Sequence, residues 1–298
     1  MSKGRVSEVV KNLIKVGNEN TGFAQSLQKV NILSCENGKL KAEFKVDETM
    51  TNHYGTLHGA FSSLILDNLT SYALVTHPKA KSAGVSANMY IEYLKTAKIG
   101  QVLEVDAIAI KVGNILGFTE MALKDKETGQ LIVKGTHTKF VVSLEHAFNY
   151  TLFKMSKGRV SEVVKNLVKV YNESKGFAQS LQKVNILSCE NGNLKAEFKV
   201  DETMTNQYGT LHGAFSSLLL DNLTSYALIT HPKAQNAGVS VTMYTEYLRS
   251  AEIGQVLEVD AFSTKVGKIL AFTEMILKDK ETGQLIVKGS HTKFVGER

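Results

Sequence analysis

The chain has 298 residues, of which 43% are hydrophobic and 21% charged, with a formal net charge of +6. That length suits about two domains, and the composition is that of a globular protein able to bury a core. Basic residues are interleaved with acids, as in Lys124-Asp125-Lys126-Glu127. The concentrated basic stripe of a nucleic-acid binder is therefore missing, and no apolar run reaches the ~18 to 20 residues of a membrane span.

In chain order, Val6, Val9, Val10, Leu13 and Ile14 fall at helical spacing and predict an amphipathic surface helix. The first 16 residues lack the continuous apolar block and small-residue cleavage site of a secretory signal. A cytoplasmic location is expected, with a mitochondrial address as the alternative. Two strands are predicted over residues 27–34 and 40–46, joined by the turn signal Asn37-Gly38. Residues 47–57 read as a polar loop. Residues 58–75 are apolar almost all round, which predicts a buried helix, about 26 Å long at ~1.5 Å per residue. Four strands follow over residues 84–93, 102–112, 115–123 and 131–141, with turns at Gly113-Asn114 and Thr128-Gly129. Helix, two strands, buried helix and four strands make an α+β unit. An antiparallel sheet of about six strands wrapped round the long central helix accounts for it, although other α+β sheets share the pattern.

The whole pattern then repeats. Met1-Ser2-Lys3-Gly4-Arg5-Val6 recurs at Met155-Ser156-Lys157-Gly158-Arg159-Val160, and the offset holds without a gap to Phe140 and Phe294, with about 23 of roughly 140 paired positions differing. A period this long means two whole domains and not a solenoid: residues 1–141, a linker at 142–154, and residues 155–298. The linker is not Gly/Ser-rich and is expected to pack down. Two such copies should pair within one chain about a pseudo-two-fold axis. Cys35 and Cys189 occupy one position per copy, so neither copy closes an internal disulfide, as suits a reducing compartment.

The chemistry concentrates between Met50 and Asn68 and at the matching positions of the second copy. His58-Gly59 opens the buried helix, where first-turn N–H groups are unsatisfied and carry partial positive charge. Gly59 lets a ligand atom approach, either as an oxyanion hole or simply because the helix must pack tightly. Asp67 lies mid-helix among Leu64, Leu66 and Leu69. A carboxylate there needs partners or a wet cleft, and one beside a scissile carbonyl can act as base or nucleophile. At ~100° per residue His58 and Asp67 point to opposite sides of one helix, roughly 13 Å apart along it. One copy cannot easily bring both to one carbonyl. Two antiparallel helices can, each lending its N-terminus to the other's midpoint.

The run Thr-Asn-x-x-Gly-Thr-Leu-His-Gly, then Leu-Asp-Asn, Gly-Val-Ser and Gly-x-His-Thr-Lys, resembles the small hotdog-fold acyl-coenzyme A thioesterases, over nearly all of each copy. The resemblance implies a tandem double hotdog and hydrolysis of acyl-CoA thioesters, medium- to long-chain fatty acyl-CoA among them. It implies no cofactor, since CoA is part of the substrate, and no metal. By resemblance Asp67 and Asp221 are general base or nucleophile, and Gly59 and Gly213 polarise the carbonyl. Asn52 and Asn206 orient that carbonyl, Ser86 and Ser240 position water, and His58 and His212 support the loop. Sites shared between subunits in the family would here join Asn52, His58 and Gly59 with Asp221 and Ser240, and Asn206, His212 and Gly213 with Asp67 and Ser86.

Lys134, Lys139, Lys288 and Lys293 on the last strands are candidate contacts for CoA phosphates, or else solvated lysines guarding a sheet edge. The differences His53/Gln207, Asn88/Thr242 and Ile91/Thr245 would tune the two halves to different acyl lengths. The fused chain is expected to form a homodimer. A non-catalytic acyl-CoA or fatty-acid binding module is the rival reading. A hotdog hydratase would need a different loop motif, which is absent.

Overall fold

The computed structural model describes residues 6–19, 22–141, 162–173 and 176–296. The expected linker and the methionine that restarts the repeat lie outside them. Each half begins with a helix, α1 (Glu8–Glu19) or α3 (Glu162–Glu173). The first half then runs β1 (Asn31–Glu36), β2 (Lys39–Lys45), the long helix α2 (Gly59–Val75), β3 (Val85–Tyr93), β4 (Val102–Val112), β5 (Leu116–Asp125) and β6 (Leu131–Phe140). The second half repeats this as β7 (Asn185–Glu190), β8 (Asn193–Lys199), α4 (Gly213–Ile229), β9 (Val239–Tyr247), β10 (Val256–Val266), β11 (Leu270–Asp279) and β12 (Leu285–Phe294).

The described strands form one antiparallel sheet of order β1-β2-β4-β5-β6-β3-β9-β12-β11-β10-β8-β7. The halves join where β3 pairs with β9, in a register centred on Tyr90 opposite Tyr244. These residues are equivalent in the two copies, so the pseudo-two-fold axis passes between them. Strand patterns explain why the sheet has an inside: β2 and β5 alternate buried and more exposed positions, the period of a half-buried strand. The β1–β2 hairpin turns on Asn37 and Gly38, with φ of 53° and 76°, the left-handed pair that a two-residue turn demands.

Helices α2 and α4 lie against each other in the hollow of the sheet, and Phe61, Leu64, Ile65 and Leu66 are fully buried. The fit against the sheet is close: a Cβ on Gly135 of β6 would stand 2.8 Å from Leu66 Cδ2 and 3.0 Å from Tyr90 O.

One expected strand is misplaced. Residues 27–34 do not form a single strand: Phe23–Leu27 is a short 3-10 helix and β1 starts at Asn31. The cause lies in the other half. Phe23 N–H donates to Thr205 O at 2.9 Å, and Phe177 N–H returns the bond to Thr51 O at 3.0 Å. The two rings meet at 5.5 Å, and each packs edge-on to the other half's central helix, Phe23 on Phe215 and Phe177 on Phe61. Cys35 and Cys189 are buried free thiols, each pushed by burial to about 12. No helix among the described residues is long and apolar enough to cross a membrane.

Candidate active site

His58 caps α2 and His212 caps α4, and each meets the mid-helix acid of the opposite half. His58 Nδ1 is 3.3 Å from Asp221 Oδ2, and His212 Nδ1 is 3.2 Å from Asp67 Oδ2. A Cβ on Gly59 would fall 2.9 Å from Asp221 Oδ2, and one on Gly213 would fall 3.0 Å from Asp67 Oδ2. The crossed pairing required by the helix geometry is thus the observed one. Asn52, His58, Gly59, Asp221, Ser240 and Lys293 line a groove of about 540 Å³ between the halves.

Hydrogen-bond counting fixes the histidine at the cap. His58 Nδ1 lies between Ala60 N, at 3.2 Å, and Asp221 Oδ2, and one ring nitrogen cannot both accept from an amide and donate to a carboxylate. Asn222 Nδ2 donates to Leu218 O at 3.0 Å and has its second hydrogen for His58 Nε2, 3.4 Å away. Nε2 therefore accepts and Nδ1–H points at Asp221.

The acid's other flank is a chain of buried polar groups. Ser86 Oγ stands 3.3 Å from Asp67 Oδ1 and 2.9 Å from His137 Nε2, and His137 Nδ1 is 2.8 Å from Thr70 Oγ1. Thr70 spends its only hydrogen on Leu66 O at 2.6 Å, so it accepts from His137 Nδ1–H. His137 Nε2 is then an acceptor, and it takes the Ser86 hydrogen. Ser86 is left as an acceptor facing the groove beside Asp67. Burial first, and Lys139 next, hold His137 down to about 3, against the opposing pull of Asp67, so this ring is neutral. His291, Ser240 and Thr224 repeat the chain beside Asp221.

Both acids are ionised. Burial alone would raise them, but His212 first and Lys139 next hold Asp67 far below the ordinary carboxylate range, and His58 and Lys293 do so for Asp221. Tyr93 Oη donates to Gly59 O at 3.1 Å, and Tyr247 to Gly213 O likewise. These bonds pin the helix starts. Burial, with Asp221 as a second cause, raises the Tyr93 phenol well above its usual value. Asn52 Oδ1 accepts from Tyr54 N, Thr56 N and Thr56 Oγ1, which fixes the side chain at the groove wall; in the second copy Asn206 Nδ2 also donates to Thr210 Oγ1 at 2.9 Å.

The lysines need correction. Lys139 and Lys293 are 4% and 3% exposed. They point inward because they share a strand face with His137 and His291. Their Nζ atoms donate to Ser71 Oγ and Ser225 Oγ at 2.7 Å; neither is a solvated edge lysine. Lys134 is exposed and paired with Glu92 at 2.6 Å, and Lys288 is exposed. Of the differences expected to tune the halves, His53 lines the groove. Ile91 and Thr245 are buried in the core instead, each 2% exposed. The pair Val241/Ala87 was not anticipated. It sits at the strand bulges beside Ser240 and Ser86, and Val241 lines the groove. His137, Asn68, Tyr93 and their counterparts were also not assigned a role from sequence. The recurrence of Gly-x-His-Thr-Lys, with its inward alternation, was the available signal for His137. Among the described residues no cluster of three or more His, Cys, Asp or Glu side chains could hold a metal ion.

Comparison with known proteins gives one consistent match. Residues 54–132 and 208–286 match the thioesterase superfamily. Acyl-coenzyme A thioesterase 13 of Homo sapiens is 36% identical over 137 residues, covering 46% of this chain and 97% of the relative. The crystal structure of zebrafish thioesterase superfamily member 2 is 35% identical, with a TM-score of 0.44, and covers 47% of this chain and 100% of its own. A conserved protein with a hotdog fold from Alicyclobacillus acidocaldarius is 12% identical, with a TM-score of 0.60 over 87% of this chain and 94% of its own. That likeness extends across both halves and concerns the fold.

Proposed function

The chain belongs to the thioesterase superfamily and is a thioesterase built as a double hotdog, and from that premise we propose that it hydrolyses acyl-CoA thioesters to free acid and CoA at two composite sites. The observation that carries the reading is the approach of Asp221 Oδ2 to Gly59, and of Asp67 Oδ2 to Gly213, across the two halves. Gly59 N–H, at a helix start, faces the place where a thioester oxygen gains charge. Asn52 Nδ2 supplies a second donor from the loop. Asp221 accepts a proton from the attacking water while Ser240 Oγ accepts the other hydrogen, and the CoA thiolate leaves. The pairing of an ionised acid with a hydroxyl turned to accept favours water attack over a covalent anhydride.

Apolar side chains such as Leu94, Ile132, Val133 and Phe294 line the groove and suit a medium- to long-chain fatty acyl group. A module that merely binds acyl-CoA would have no use for a buried, desolvated carboxylate beside a helix N-terminus.

Release of free CoA from a panel of acyl-CoAs tests the assignment. Asp67→Asn and Asp221→Asn should each leave about half the rate, and both together should cost roughly 10²-fold or more. Asn52→Ala with Asp221→Asn strikes one groove and should spare the other. Asn52→Ala with Asp67→Asn strikes both. The opposite ranking of the two double variants would assign each site to a single half.

A further inference from the structure

We propose that Lys139 and Lys293 are positioning residues that keep the acids of the two grooves charged, and that neither serves as a substrate-phosphate contact. Each ammonium is nine-tenths or more buried and is placed by a fixed relay. Ser71 Oγ–H donates to Asp67 O at 2.5 Å, which turns the serine's lone pairs toward Lys139 Nζ at 2.7 Å. Ser225 does the same between Asp221 O and Lys293 Nζ. The relay holds Lys139 Nζ 3.9 Å from Asp67 Oδ1. Anchor and acid lie on one helix, four residues apart, so the charge moves with the carboxylate it serves.

The need for this charge follows from the surroundings. Asp67 faces His212 at the start of α4, His137 and Lys139 on β6, Ser86 on β3, Tyr247 on β9 and Tyr72 on its own helix. Asp221 faces His58, His291, Lys293, Ser240 and Tyr93. His137 and His291 are neutral, the tyrosines are neutral, and the capping histidine, the largest lowering influence on each acid, directs an N–H at it. The lysine adds a cation fixed in place, which the carboxylate keeps charged against the burial that lowers it. A carboxylate buried without one protonates instead of staying charged, and a protonated acid cannot accept a proton from water.

The proposal rests on the acyl-CoA reading for its kinetic assay only. In Lys139→Gln with Lys293→Gln, a polar group remains for the serines and only the charge is lost. Removing a cation at this distance raises an acid by about one unit or more. The acid limb of the rate profile should move up by that amount, so that at a pH on that limb the rate relative to pH 8 falls about tenfold. Lys139→Arg with Lys293→Arg should keep the wild-type profile. Circular dichroism at each pH restricts the comparison to folded protein, and Lys293→Gln in an Asp67→Asn chain reads one groove alone should the double variant unfold. Carboxyl-carbon NMR of Asp67 and Asp221 gives the same titration without turnover. Superimposable profiles, or equal loss at every pH with unmoved carboxyl titrations, overturn the proposal. A wild-type chain that releases no CoA, but whose carboxyls shift in the Gln variant, overturns the substrate reading and leaves this one standing.

Discussion

Lowering the pH from 7 to 5 should cost the fold about 4 kcal/mol, through two histidines buried without charge. His137 and His291 are 0% and 1% exposed, and burial, the largest cause, sets each near 3. In the unfolded chain a histidine titrates near ~6.5. The unfolded state therefore takes up protons first. The stability is present above the ordinary histidine range and is lost as the pH falls from there toward 3. At ~1.36 kcal/mol per pH unit each ring contributes a loss of roughly 0.7 kcal/mol by pH 6 and roughly 2 kcal/mol by pH 5. The depressed acids Asp67 and Asp221 work in the same direction, but only below the ordinary carboxylate range near ~4, so this window isolates the histidines. Urea unfolding at pH 7, 6 and 5 measures the slope. His137→Gln with His291→Gln should flatten it, and comparison with that variant also removes the contribution of His53 at the groove rim, whose shift is likewise downward. A wild-type slope that the Gln variant leaves unchanged would refute the neutral-ring assignment, and with it the acceptor role of Ser86.

Two further outcomes follow from the groove walls. Gly59→Ala would put a methyl 2.9 Å from Asp221 Oδ2 and 3.2 Å from Tyr93 Oη, displacing the carboxylate. About half the CoA release should disappear, as for Asp221→Asn, and adding Gly59→Ala to an Asp221→Asn chain should cost nothing more. Val241→Ala, measured in an Asp67→Asn chain, removes two methyl groups from the working groove. At ~1 to 3 kcal/mol per methylene of fit, preference should shift about tenfold toward bulkier acyl chains, and an unaltered acyl profile would place Val241 away from the acyl path.

What the sequence reveals here depends on how local each cause is. The long helix was legible because residues 59–75 are apolar on every side, a pattern that only burial explains, and β4 was read to the residue as Val102–Val112. The sharing of sites between halves was legible too, because helical geometry alone sets His58 and Asp67 on opposite sides. The start of β1 was not: a turn at Phe23–Leu27 wins because Phe23 is anchored on Thr205 and Phe215 of the other copy, contacts that no local propensity encodes. The burial of Lys139 was hidden for a related reason. Its strand alternates correctly, but a lysine on the inward face looks like an outward one until the carboxylate it meets is known.

Because the central strands of the two copies are zipped together and each groove takes one wall from either side, descent with modification cannot act on one copy in isolation. His53 of one repeat and Val241 of the other, for example, line the same groove. Neither residue has its natural companion within its own repeat. Substitutions accumulated since the duplication should therefore correlate between residues that lie far apart along the chain, in two crossed sets, while the repeat as a unit carries little memory of a shared task.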